Sequence, residues 1–215
     1  MGKLFVGILG GFSGTVGTVI GSSNRKGEDI IRVKTKKPRT SSTEGQINQR
    51  TKFSLVTVFL QALNFLLKIG FKKVSGDLMS PYNYACQFAL KNAITGEAPN
   101  FEIDYSKVLI SDGNLGQVKA ASAELTEGNV NFQWEDNTAN SLGKSTDKAM
   151  MLVYNANNHE LSYSTEQETR FSAGGIVPLP NGNAGDKLVV YLFFQSASDP
   201  TLVSTSQYLG SVTMI

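Results

Sequence analysis

The chain has 215 residues, 40% of them hydrophobic and only 18% charged, with 21 Gly and a formal net charge of +2. Apolar residues recur along nearly the whole length, which excludes a disordered composition. A lone cysteine, Cys86, excludes a disulfide framework and a cysteine-rich metal site. The near-neutral total hides a division of charge. Residues 1–75 hold 13 Lys/Arg against 3 Asp/Glu, net +10, whereas residues 76–215 hold 7 against 15, net −8. A basic head on an acidic body points to head-to-tail self-association or to a polyanionic partner.

Between Lys3 and Arg25 lie 21 uncharged residues, six of them Gly and six Ser, Thr or Asn. Only nine are large and apolar, too few for a transmembrane helix, and the compact apolar run of a secretory signal is missing. Val6 stands where a myristoylation start wants Ser or Thr. The expectation is a mature protein made without a secretion signal. Gly7, Gly10, Gly14, Gly17 and Gly21 are spaced 3, 4, 3, 4. On a helix they would form a bare stripe; otherwise they mark turns between extended pieces such as Leu4–Val6 and Thr15–Ile20. Five glycines would cost an isolated helix about 4–5 kcal/mol against Ala, which favours the extended reading.

In residues 28–39, Ile31, Val33 and Thr35 alternate with Arg32, Lys34 and Lys36, the period of a strand with a basic face. Pro38 ends it. Ser41 with Glu44, and Thr43 with Gln46, fit the capping box of a helix start. Leu55, Val56, Phe59, Leu60, Leu63, Leu66 and Leu67 then recur at helical spacing, with Gly70 as the expected stop. A second helix is predicted from Ser80 as cap and Pro81 as first residue to about Ile94, closed by Gly96 and Pro99 and packed antiparallel on the first. In it Cys86 reads as a small buried apolar residue.

After Pro99 the period becomes two: Phe101, Ile103 and Tyr105, then Val108 and Ile110. Seven strands are predicted near 117–125, 129–136, 147–155, 160–165, 169–177, 186–196 and 202–214, separated by turn residues such as Asn157-Asn158 and Asn181-Gly182. So many short strands are the signature of a β-sandwich.

Two resemblances arise from these residues. The tract from Leu125 to Val212 is similar to a fibronectin type III-like sandwich. Its carriers are Trp134 in an early strand, Leu152-Val153-Tyr154 in an inner one, and Val189 to Phe194 followed by Ser204-Thr205-Ser206 as a late hairpin. The whole chain also resembles an uncharacterised family of Bacteroidota proteins of about this length. That likeness rests on the opening Gly10-Gly11-Phe12-Ser13-Gly14-Thr15-Val16-Gly17, on Arg50, Lys52 and Phe53, on Gly70-Phe71-Lys72-Lys73, and on Ile103-Asp104-Tyr105. It implies an architecture and a bacterial or phage-related origin, and no catalytic residues.

Chemistry is sparse. His159, the only histidine, falls in a predicted hairpin tip and reads as a solvated turn residue. One histidine excludes a multi-histidine metal site and leaves little for a triad. Glu135-Asp136 and Glu124/Glu127 flank turns and lack the apolar setting of a general acid. Asp136 to Asn140 is a faint echo of a calcium loop. No phosphate-loop or dinucleotide glycine motif exists. For the basic segment three readings stand: charge-driven contact with nucleic acid, contact with the acidic body of a neighbour, or a solvated strand edge guarded by Lys. Residues 24–52 contain no Phe, Tyr or Trp for base stacking.

The sequence therefore predicts an α+β protein with two parts. A glycine-rich arm, basic strand and two-helix region occupy 1–98, and an antiparallel β-sandwich of fibronectin III or Ig type occupies 99–215. The expected function is a non-enzymatic self-assembling structural subunit of a filament, tube or shell, with no cofactor, metal or small-molecule substrate and no membrane. The alternatives are a surface binding or adhesion module and a charge-driven nucleic-acid-binding or coat protein. The expected assembly interface is Gly7, Gly10, Phe12, Gly14, Val16, Gly17 and Gly21. The expected basic face is Arg32, Lys34, Lys36, Lys37, Arg39, Arg50 and Lys52. The expected partner is the chain itself, with nucleic acid as the second partner that the basic face admits. Synthesis in the cytoplasm is expected, with an assembled form that could stand outside the cell.

Overall fold

The computed structural model describes residues 2–4, 13–23, 27–35, 41–73, 79–138, 142–165 and 167–214. Its contacts divide the chain into two units, Met1–Thr43 and Glu44–Ile215. The division does not coincide with the boundary after residue 98 that the change of period at Pro99 suggested. The first unit carries eight Lys/Arg against two Asp/Glu, net +6, and the second twelve against sixteen, net −4.

The first unit is an antiparallel sheet of β1 (Gly2–Leu4), β2 (Gly14–Val16), β3 (Val19–Ser23) and β4 (Asp29–Val33), in the order β1-β4-β3-β2. Its described glycines sit in extended structure and turns. Gly17 and Thr18 join β2 to β3, and Gly17 has φ +58°, which suits the first position of a two-residue hairpin turn.

The second unit is built in three layers. The helical layer comprises α1 (Glu44–Ala62), α2 (Asn64–Gly70) and α3 (Pro81–Asn92). The single helix expected up to Gly70 is instead two, bent by 82° at Leu63. No Pro or Gly lies at the break; the bend lets Val56, Phe59 and Leu60 on one arm and Leu66 and Leu67 on the other enter the same core. Each such side chain stabilises the fold by about 1.5–3 kcal/mol. Gly70, the last residue of α2, is glycine for a steric reason: a Cβ there would collide with the Ile110 carbonyl and with Ser111. α3 starts as expected, with the Ser80 hydroxyl accepting from the Asn83 amide at 3.2 Å and Pro81 in the first turn. It ends earlier than expected, because Ile94–Glu97 forms β5, which pairs with β6 (Asn100–Ile103). A boundary after residue 98 would cut this hairpin at its turn.

The remaining strands form two sheets. β7 (Lys119–Thr126), β8 (Asn129–Glu135) and β11 (Gly174–Pro178) make a three-stranded sheet ordered β11-β8-β7. β9 (Lys148–Asn155), β10 (Leu161–Ser164), β12 (Lys187–Gln195) and β13 (Gln207–Thr213) make a four-stranded sheet ordered β10-β9-β12-β13. First, second and fifth strands in one sheet and the other four in the second is the arrangement of a fibronectin III-like sandwich.

The central strands β9 and β12 explain why the helices belong to this unit. Their apolar runs, Ala149–Tyr154 and Leu188–Phe194, are buried on both faces. One face, with Met151, Val153, Val190, Leu192 and Phe194, packs on Val130, Phe132 and Trp134 of β8. The other, with Met150, Leu152, Tyr154, Val189, Tyr191 and Phe193, packs on the helices. Trp134 occupies the expected core position, edge-on to Phe194 at 5.5 Å. Among the described residues no single helix is long and apolar enough to cross a membrane. The bent α1–α2 pair passes by length and composition, and its apolar side chains fill this core.

Candidate functional site

Two features of the surface invite a function, one in each unit. In the first unit, cross-strand register decides which residues share a face. Val16 pairs with Val19 and Val19 with Val33, so the three valines form one row across β2, β3 and β4. Val16 is 68% and Val33 70% exposed. Two residues along the strands, Gly14 pairs with Gly21, and Gly21 with Ile31. The same face therefore carries an apolar row beside two glycines, of which Gly14 is exposed and Gly21 buried. Arg32 lies on the opposite face, across from Ile20, and Lys34 follows the strand with its amide donating to the Thr18 carbonyl at 2.7 Å. Both are exposed.

Of the expected interface, Gly14, Val16 and Gly17 are exposed and Gly21 is buried, whereas Gly7, Gly10 and Phe12 lie outside the described residues. Of the expected basic face, Lys36, Lys37 and Arg39 also lie outside them. Arg50 and Lys52 belong to α1 in the other unit, so the seven cations are not one strand-borne set. The Lys52 ammonium sits 4.6 Å over the Phe101 ring.

In the second unit a cavity of about 340 Å³ opens where α1, the β6 strand and the ends of β9 and β12 meet. Its size falls in the range of small-molecule sites. Leu55, Val58 and Phe59 of α1 form one wall, and Phe101, Ile103 and Tyr105 form another. Tyr154, Ala156, His159 and Lys187 complete it from the sheet side. Phe59 locks the floor, edge-on to Tyr105 at 5.4 Å and to Tyr154 at 4.9 Å.

The polar groups here are few and placed. The Tyr154 hydroxyl lies 2.8 Å from His159 Nδ1. Burial, with a smaller push from Tyr105, holds the Tyr154 phenol well above its usual value, so it stays protonated. The Tyr154 hydroxyl and His159 Nδ1 satisfy one another across this contact. His159 has φ +66°, with its amide donating to the Asn155 carbonyl at 3.0 Å. The Lys187 ammonium stands 5.6 Å from the Tyr105 ring centre. His159 is exposed as a turn residue should be, yet its ring is anchored to a buried phenol, which the solvated-turn reading did not foresee. The only trace in the sequence is a Tyr five residues before a lone His, and that spacing has no meaning until β9 turns back.

Cys86 is buried in α3, and burial pushes its thiol up, as suits a packing residue and not a nucleophile. Among the described residues no three His, Cys, Asp or Glu side chains gather to hold a metal ion. Asp136 instead binds the Thr138 hydroxyl and amide within its own turn.

The chain belongs to a family of unknown function (DUF6266), whose model matches residues 11–210. No curated protein and no solved structure matches it.

Proposed function

We propose that this protein is a non-enzymatic structural subunit that assembles with copies of itself into a filament, tube or shell. The observation that carries the reading is the face of the first unit on which Val16, Val19 and Val33 stand in one row, two of them more than two-thirds exposed, beside the Gly14–Gly21 pair. Apolar side chains next to the exposed Gly14 form a surface that gains by being covered, and a second sheet can approach closely over that glycine. The charge division supports the same reading: a unit of net +6 and a unit of net −4 on one chain attract each other between copies. A bacterial or phage-related source, with the Gly10 to Gly17 opening as a signature shared with the Bacteroidota proteins it resembles, belongs to this proposal.

Sedimentation velocity of the purified chain tests it. The screening length falls from about 30 Å at 0.01 M to about 3 Å at 1 M salt, so assembly held by charge shrinks across that range. Large species at low salt, lost in the double variant Val16→Lys with Val33→Lys, are expected. A monomer at both salt concentrations overturns the proposal. Binding to any nucleic acid in place of self-association, weakened steeply by salt, favours the coat-protein alternative instead.

A further inference from the structure

We infer that the cavity between α1, β6 and the sheet is a binding site for a small aromatic carboxylate. The inference is independent of the assembly reading, because every lining residue lies in the second unit. Three observations carry it. The walls are apolar and aromatic, with Phe59, Phe101, Tyr105 and Tyr154 disposed around a space large enough for one ring. A flat apolar body is what such walls hold best, since aromatic rings stack offset or edge-on against one another.

The charge of the ligand follows from what already occupies the ring faces. Lys52 sits over Phe101 and Lys187 over Tyr105. These are the positions that an exogenous cation would need in an aromatic cage, and the two ammoniums repel it. They attract an anion. Among the described lining residues Glu102 is the sole carboxylate, and it is exposed to solvent.

The orientation follows from the Tyr154–His159 pair. The phenol holds Nδ1 and so orients the His159 ring; in the tautomer where the phenol donates, Nε2 carries the hydrogen that a carboxylate accepts. Lys187, across the rim, supplies a charge-assisted donor. A carboxylate bridged by these two would place the attached ring toward Phe59. Burial of Tyr154 keeps the phenol from ionising, so the imidazole is not set against a neighbouring anion.

Amide chemical shifts of the full chain, titrated with phenylacetate, phenylacetamide and phenethylamine, test the inference. Phenylacetate, with its ten heavy atoms, is expected to bind with a Kd of about a millimolar or tighter, shifting the amides of Ile103, Ala156 and Lys187 saturably. The amide should bind more weakly and the amine more weakly still. Lys187→Gln and His159→Asn should each weaken phenylacetate by about tenfold, as expected for loss of a charge-assisted contact. Lys187 is exposed, so Lys187→Gln keeps the fold and decides alone should His159→Asn, where Asn suits the positive φ, fail to fold. Equal or tighter binding of phenethylamine, no saturable shift with phenylacetate at about 10 mM, well above the Kd expected here, or indifference to Lys187→Gln each overturns the inference.

Discussion

The guanidinium of Arg170 lies 3.4 Å from the carboxylate of Asp147, and neither side chain is exposed to solvent. Around this pair one end of the sandwich is tied together. Arg170 Nη1 donates to the Asn137 side chain at 3.1 Å and Nη2 to the Gly116 carbonyl at 2.7 Å. The Trp134 indole donates to the Arg170 carbonyl at 2.9 Å, and the guanidinium stacks 4.5 Å over the Phe194 ring. Asp147 in turn accepts from the Lys144 amide at 2.7 Å. Desolvation lowers the Arg170 pKa, and the Asp147 charge opposes that shift, so the cation is held by its partner and by acceptor oxygens placed to suit it. Gly143 passes so close that any Cβ there would strike the guanidinium.

Arg170→Met is therefore expected to destabilise the protein by about 3–5 kcal/mol, because it leaves a buried carboxylate without its counter-ion. Urea denaturation of variant and parent measures it. A loss below about 1 kcal/mol, the range of exposed pairs, would show that water reaches Asp147.

The outer face of the four-stranded sheet yields a second expectation. A fragment spanning 99–215 would bare Met150, Leu152, Tyr154, Val189, Tyr191 and Phe193, all buried under the helices in the whole chain. It should aggregate or lose its near-ultraviolet circular dichroism, whereas a fragment spanning 44–215 should keep a cooperative thermal transition. A soluble, cooperatively melting 99–215 fragment would refute the three-layer account.

Acid should loosen the chain over a defined window. The Lys107 ammonium, 2.8 Å away, and then the Ser106 hydroxyl hold the Asp104 carboxyl down from an ordinary 3.8 to about 2. Asp136, Asp186 and Asp199 are lowered too, chiefly by side-chain hydrogen bonds from Thr138, Asn155 and Thr201. A carboxylate whose pKa is depressed on folding stabilises above its unfolded value and stops doing so as pH falls through the folded one. Melting temperature should thus drop between about pH 4 and about pH 2. Asp104→Asn should melt below the parent near neutral pH and converge with it at the acid end. Parallel curves for the two would remove Asp104 from the account.

Much of the second unit was legible because its signals are local. The seven strands of the sandwich are separated by turn residues whose preferences act within three or four positions, so strands near 129–136 and 186–196 appear as β8 and β12 with only their ends adjusted. Ser80-Pro81 announces α3 because capping and proline geometry need no distant partner. The glycine arm was legible only in part. Gly17 belongs to a turn, as one reading had it, but which strands align to place Gly14 opposite Gly21 is a matter of register.

The cavity was not legible, for the same physical reason that the helix break was not. Phe59, Phe101, Tyr154 and Lys187 are far apart in the chain and meet only when the sheet and helices pack. Nothing beside Leu63 breaks a helix, yet the chain turns by 82° there to bury Leu66 and Leu67.

Composition and order of residues by themselves determined the two-signed charge, the start of α3 and the succession of strands, all of which depend on neighbours within a few bonds. Only the tertiary structure decided that β9 and β12 are buried on both faces, that the helices share their core, and that His159 meets Tyr154. Those outcomes depend on apolar area removed from water between segments as distant in the chain as α1 and β12, through contacts that no short window of sequence contains.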